Sequence, residues 1–236
     1  MRFVAGCFAA LLLATPALAQ PGLGEKVYGA TLEPGVTELE ARYGRVTGDD
    51  AGGADALTLE GAHHFSDRIY GAVLVETGRE RDTSRKLEAI AVEGIYRVAR
   101  ITPLGIDVAL YGEYGFERHG ADTAETKLLL QRRAGSFDGR LNLIAEKRLE
   151  SHEKVEFGYS TSADWSVVGE MRAGAAAFGS FDSKEHYVGP ILKTEIEHLP
   201  ARGELGIEAG YLFSVGSGRR EAPGQIRLLL EYEFHL

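Results

Sequence analysis

The sequence predicts an all-β chain closed into a single antiparallel transmembrane β-barrel of twelve strands. Three observations carry this reading. Blocks alternating apolar and polar residues recur from Thr37 to Leu236, most of them longer than the roughly 5–6 residues of an ordinary strand and matching the roughly 9–11 that a tilted membrane-crossing strand needs. Past the N-terminus no run of apolar residues is long enough for a spanning helix. The chain also opens with an export signal.

That signal is Met1-Arg2, an apolar run from Phe3 to Ala14, and then Thr15-Pro16-Ala17-Leu18-Ala19-Gln20, an Ala-x-Ala cleavage site. Residues 1–19 are expected to be removed after Ala19, leaving 20–236 as one barrel domain. Cys7, the only cysteine, lies inside the signal, so the mature chain is expected to carry no thiol, disulfide or lipid anchor. A formal charge of -9 without a basic block argues against nucleic acid as a partner. Thirty glycines against seven prolines suit long strands joined by tight turns.

Gln20 to Gly29 reads as a short polar lead. The first strand covers Thr37 to Val46, with Leu39, Ala41 and Tyr43 opposite Glu38, Glu40 and Arg42. A Gly/Asp loop separates it from Ala54 to Phe65, and Ser66-Asp67 turns the chain into Arg68 to Thr77, whose faces are ambiguous. Arg85 to Ala99 places Ile90, Val92, Tyr96 and Val98 opposite Glu93 and Arg97. Ile106 to Arg118 alternates most cleanly, with Ile106, Val108, Leu110, Tyr114 and Phe116 opposite Asp107, Tyr111, Glu113 and Glu117.

Thr126 to Ala134 and Phe137 to Leu149 form a hairpin around Gly135-Ser136. Val155 to Thr161 and Trp165 to Ala177 make the next pair, followed by a loop from Phe178 to Lys184. Glu185 to His198 contains Pro190, which removes a ladder donor and predicts a bend, or an inward constriction anchored there. Glu204 to Val215 and the closing strand Pro223 to Leu236 complete the set; the latter sends Leu228, Leu230, Tyr232 and Phe234 one way and Arg227, Glu231 and Glu233 the other. An even strand number without edge protection favours closure, and turns alternating between short and long predict short periplasmic turns and long outer loops.

The charged face is expected to line the lumen through Glu93, Arg97, Asp107, Glu113, Arg140, Glu146, Arg148, Glu170, Arg172, Arg227, Glu231 and Glu233. Such charges are costly against lipid and ordinary in a wet interior. They either line a narrow polar channel or pair across it and close it. His63 and His64 point to opposite faces, which disfavours a shared metal site, and no catalytic residue, metal or cofactor is assigned. Phosphate-loop, dinucleotide and metalloprotease motifs are absent.

The export signal and the terminal Leu-Leu-Glu-Tyr-Glu-Phe-His-Leu resemble those of Gram-negative outer-membrane β-barrel proteins. The resemblance implies an outer-membrane location, contact with outer-membrane lipids and lipopolysaccharide, and a last strand recognised by the barrel-assembly machinery. That signal usually ends in an aromatic residue; here Leu236 is terminal, with Phe234 and Tyr232 on the same face. The expected function is a passive, porin-like channel for a small polar solute or a structural envelope barrel, more an ordinary membrane protein than an enzyme. Two other readings remain: an outer-membrane lipid hydrolase, since some twelve-stranded barrels are phospholipases whose serine and histidine motifs find no match here, and a secreted soluble binding barrel.

Overall fold

Alternation gives each strand one apolar and one charged face, and twelve such strands satisfy both by closing on themselves. In the computed structural model, which describes residues 21–48, 53–199, 203–216 and 223–235, the strands are β1 (Val36–Thr47), β2 (Asp55–His64), β3 (Ile69–Arg79), β4 (Lys86–Ile101), β5 (Ile106–Glu117), β6 (Thr123–Ala134), β7 (Phe137–Arg148), β8 (Glu156–Val168), β9 (Met171–Ser180), β10 (Glu185–Leu199), β11 (Gly203–Gly216) and β12 (Gly224–His235). Each pairs antiparallel with its neighbours in sequence, and β1 pairs with β12 from Val36 opposite His235 to Thr47 opposite Gly224. The closing strand is therefore the seam, as its pattern predicts. The expected signal peptide and Leu236 lie outside the described residues.

The charged face points inward. Along β1, Glu38, Glu40 and Arg42 are buried, whereas Leu39 between them is 54% exposed. Outward-facing Leu59, Val73, Ile90, Val92, Leu110, Leu143, Leu192 and Leu228 continue an apolar band around the wall. An apolar surface this continuous is unfavourable in water and suited to lipid. Aromatic pairs flank the band: Phe137 with Trp165 and Tyr232 with Phe234 at the end holding the strand termini, Tyr114 with Phe116 and Tyr211 with Phe213 at the other. Apolar outside and charged inside is the reverse of a soluble ligand-binding barrel.

Connections differ between the two ends as expected. Gly135-Ser136 and Gly169-Glu170 are two-residue turns at the terminal end, while residues 80–85, 118–122 and 149–155 form longer loops at the other.

Three local expectations are corrected. The strand break expected at Ser162-Ala163-Asp164 is absent: β8 runs through it with Ser162 and Asp164 buried inward, because small polar residues suit an interior wall as well as a turn. Phe178, expected in a loop, is a fully buried inward residue of β9. Pro190 faces outward and does not anchor a constriction; the β10–β11 ladder is interrupted at Gly189-Pro190 without a register shift. Gly189 is required there because a Cβ would strike the Tyr211 carbonyl oxygen. The ambiguous faces of β3 resolve with Tyr70, Ala72 and Leu74 inside and Ile69 and Val73 outside.

Candidate functional site

The lumen is not empty. Residues 21–35, which take in most of the Gln20 to Gly29 stretch read as a short polar lead, run through it from the long-loop end to the start of β1. Leu23 packs against Val46, Ala56, Phe178, Ile191 and Leu212 on the β9–β2 side of the wall. Further along, Tyr28 and Ala30 pack against Tyr70, Ile95, Tyr111 and Leu129 on the β3–β6 side. The path is narrow: a Cβ on Gly22, whose φ is +88°, would lie 2.8 Å from the Phe178 ring.

Inward side chains hold this segment largely by its main chain. Asn142 on β7 accepts from the Tyr28 amide at 2.9 Å and donates to the Tyr28 carbonyl at 3.0 Å, replacing the two bonds a neighbouring strand would make. Gln131 on β6 accepts from the Ala30 amide at 2.9 Å, and His64 Nδ1 accepts from the Glu33 amide at 2.9 Å. Arg140 donates to the Val27 carbonyl at 3.3 Å, Arg227 to the carbonyls of Gly22 and Glu25, and Gln225 to that of Pro21 at 3.2 Å. Because Nδ1 of His64 accepts, its Nε2 carries the proton and donates to Glu38 at 2.6 Å.

Two side chains of the segment complete the centre. Lys26 Nζ lies 3.0 Å from Glu40, 3.3 Å from Glu60 and 3.8 Å from Glu231. Tyr28 donates its hydroxyl proton to Glu93 at 2.7 Å and accepts from Arg42 at 3.3 Å. Lys26 and Lys127 stand 4.8 and 4.9 Å from the Tyr28 ring centre. Glu60 also pairs with Arg42 and accepts from Tyr70. Opposite charges thus interlock through the segment. Each of the twelve strands contributes at least one buried side chain to the interior, from Glu40 on β1 to Arg227 on β12.

Water-accessible space remains beside the segment. Towards the short-turn end a cavity of about 420 Å³ separates it from β10–β12, lined among others by Glu33, Glu38, Glu195, Glu231 and Glu233, with Lys26, Arg140 and Lys193. Its basic groups are engaged: Lys193 lies 3.0 Å from Asp164 and 3.3 Å from Glu208, and Arg140 lies 3.0 Å from Asp138.

The sequence-predicted charges distribute as follows. Glu93, Asp107 and Arg227 are buried in the interior, and Arg97 pairs with Asp107 at 2.9 Å. Glu113 accepts from Tyr111, Arg172 pairs with Asp164 at 2.5 Å, and Glu231 and Glu233 face the cavity. Glu146 and Arg148 keep the inward alternation of β7 but are exposed at the long-loop mouth. Glu170 departs from expectation: it sits in the Gly169-Glu170 turn at the rim, because β9 begins only at Met171. Sequence reading missed Asn142, Gln131 and Lys26. Uncharged amides at inward positions of neighbouring strands were the available signal, since a wet lumen does not require them and a buried main chain does.

Ser66 and His64 are not assembled for catalysis. The Ser66 hydroxyl oxygen accepts from the Arg68 and Ile69 amides and shapes its turn, while His64 is engaged by Glu38 and the segment. Among the described residues, no three His, Cys, Asp or Glu side chains converge on a metal position.

No protein-family model matches the sequence, and no curated protein matches it. Solved structures do. The KdgM porin in complex with disordered oligogalacturonate superposes with a TM-score of 0.58 at 10% identity, covering 84% of this chain and 99% of that one. The NanC porin gives 0.58 at 12% identity, covering 84% and 100%. An outer-membrane channel from Pseudomonas putida F1 gives 0.60 at 13% identity, covering 92% and 99%. The chain shares the fold of these small outer-membrane channels.

Proposed function

We propose that the protein is a narrow passive channel of the Gram-negative outer membrane, reached by export through the periplasm after removal of residues 1–19. The observation carrying this is the inverted wall, with a continuous apolar band outside and Glu, Asp, Arg and Lys side chains inside. A wall of that polarity is stable where lipid surrounds it and water or polar solute occupies its interior. Its permeant is a small polar solute, and the route is lined by Glu93, Arg97, Asp107, Glu113, Arg140, Arg172, Arg227, Glu231 and Glu233, with Glu146 and Arg148 at the mouth.

Its partners are outer-membrane lipids and lipopolysaccharide on the apolar band, and during biogenesis the barrel-assembly machinery, which reads the last strand through Tyr232, Phe234 and Leu236. The buried mid-lumen favours one second reading, a structural envelope barrel. Planar-bilayer recording separates the two: a channel gives discrete conductance steps. Silence at every voltage, from both the wild type and a Lys26→Ala variant that lacks the segment's main charge anchor, contradicts the channel.

A further inference from the structure

We infer that the inner wall is a binding groove for an extended peptide, that residues 21–35 are its resident ligand, and that they act as a releasable plug. The groove recognises main chain. Asn142, Gln131, His64, Arg140, Gln225 and Arg227 all bond to peptide amides or carbonyls of the segment. Such a grip depends on an extended backbone far more than on side-chain identity, as when a peptide is added to an exposed strand edge.

The segment lies outside the hydrogen-bond ladders of the wall. All twelve ladders of the barrel run strand to strand, and residues 21–35 belong to none of them. Departure of the segment leaves every wall hydrogen bond of the sheet in place. It also exposes Glu40, Glu60, Glu93 and Arg42 to water, where charges are ordinarily solvated, so the exchange is between paired and hydrated charge. Continuity with β1 at Val36 tethers the segment at the short-turn end, and its other end, around Gly22 and Leu23, reaches the long-loop half of the lumen.

Only the consequence for conductance rests on the channel reading; binding and release do not. The test uses the full chain with Gly24→Cys and Ala56→Cys to lock the segment and Ala30→Cys as a reporter. A Cβ at Gly24 would lie 3.1 Å from the Ala56 Cβ, a few tenths of an ångström closer than the roughly 3.5–4.5 Å that a disulfide spans, and both redox forms share the strain of a side chain at the Gly24 φ of +77°; Ala30 is fully buried. The sequence has no cysteine beyond Cys7. Oxidised and reduced forms are one folded protein in one membrane, so misfolding cannot imitate the result.

Reduction with dithiothreitol is expected to speed labelling of the reporter thiol introduced by Ala30→Cys, read with a membrane-impermeant thiol reagent, at least about tenfold and to turn a silent barrel into a conducting one. Equal labelling rates in the two forms overturn the plug, whatever the conductance. Faster labelling on reduction without conductance in either form upholds the plug and overturns the channel. Should the cysteine pair prevent insertion, Asn142→Ala with Ala30→Cys is compared with Ala30→Cys alone; faster labelling upholds the inference and an equal rate overturns it.

Discussion

Lys26 is the residue on which the lumen balances. It sits among Glu40, Glu60 and Glu231, and its side chain is only 11% exposed. Removing one member of a buried ion pair typically costs roughly 3–5 kcal/mol, most of it from the charge left behind. Lys26→Ala is therefore expected to lower the urea midpoint of the refolded barrel clearly. Tyr28→Phe loses hydrogen bonds to Glu93 and Arg42, each charged, and is expected to cost less, roughly 1.5–3 kcal/mol. Fluorescence of Trp165, the only tryptophan, reads both, because that side chain lies at the rim against Phe137. Equal midpoints for wild type and Lys26→Ala would show that the segment is not held by charge. Alternation made the inward direction of Glu93 and Glu231 legible from sequence. It could not reveal that their partners come from the lead, since an ion pair between residues far apart in the chain leaves no periodic trace.

At the scale of elements, the strands were legible wherever charge and bulk alternate, and obscure where small residues fill both faces. In β5, Leu110, Tyr114 and Phe116 opposite Asp107 and Glu113 define the strand and its faces at once. In β8, Ser160, Ser162 and Asp164 face inward with Ala163 opposite, a composition shared with turns, so the sequence predicts a break that the strand does not have. The membrane-facing side gives a depth-dependent expectation. Val73, 52% exposed near the middle of β3 and opposite Val92, is expected to lose roughly 2–4 kcal/mol when replaced by Arg, as charges do at a bilayer midplane. Urea titration in lipid vesicles measures it; a neutral substitution would place Val73 in water. Gly189→Val is expected to reduce the yield of folded barrel sharply, since any side chain there meets the backbone of Tyr211 on β11. Densitometry of folded and unfolded bands after refolding measures that yield.

At the scale of the molecule, closure follows from the seam. The twelve pairs from Val36 opposite His235 to Thr47 opposite Gly224 leave neither terminal strand with a free edge. Strand length, count and polarity made that closure legible, and the alternation of short and long turns made the difference between its two ends legible. Occupancy of the lumen was not legible, because the lead carries no period and a filled interior and an open one present the same wall.

Heat-modifiable migration of detergent-extracted protein tests most directly whether the chain is a closed barrel whose outer face meets lipid. The unboiled protein is expected to run as a compact band in the membrane fraction and to shift on boiling, as the closed hydrogen-bonded wall resists detergent until heated. Identical mobility with and without boiling, together with release in the periplasmic fraction, would contradict it.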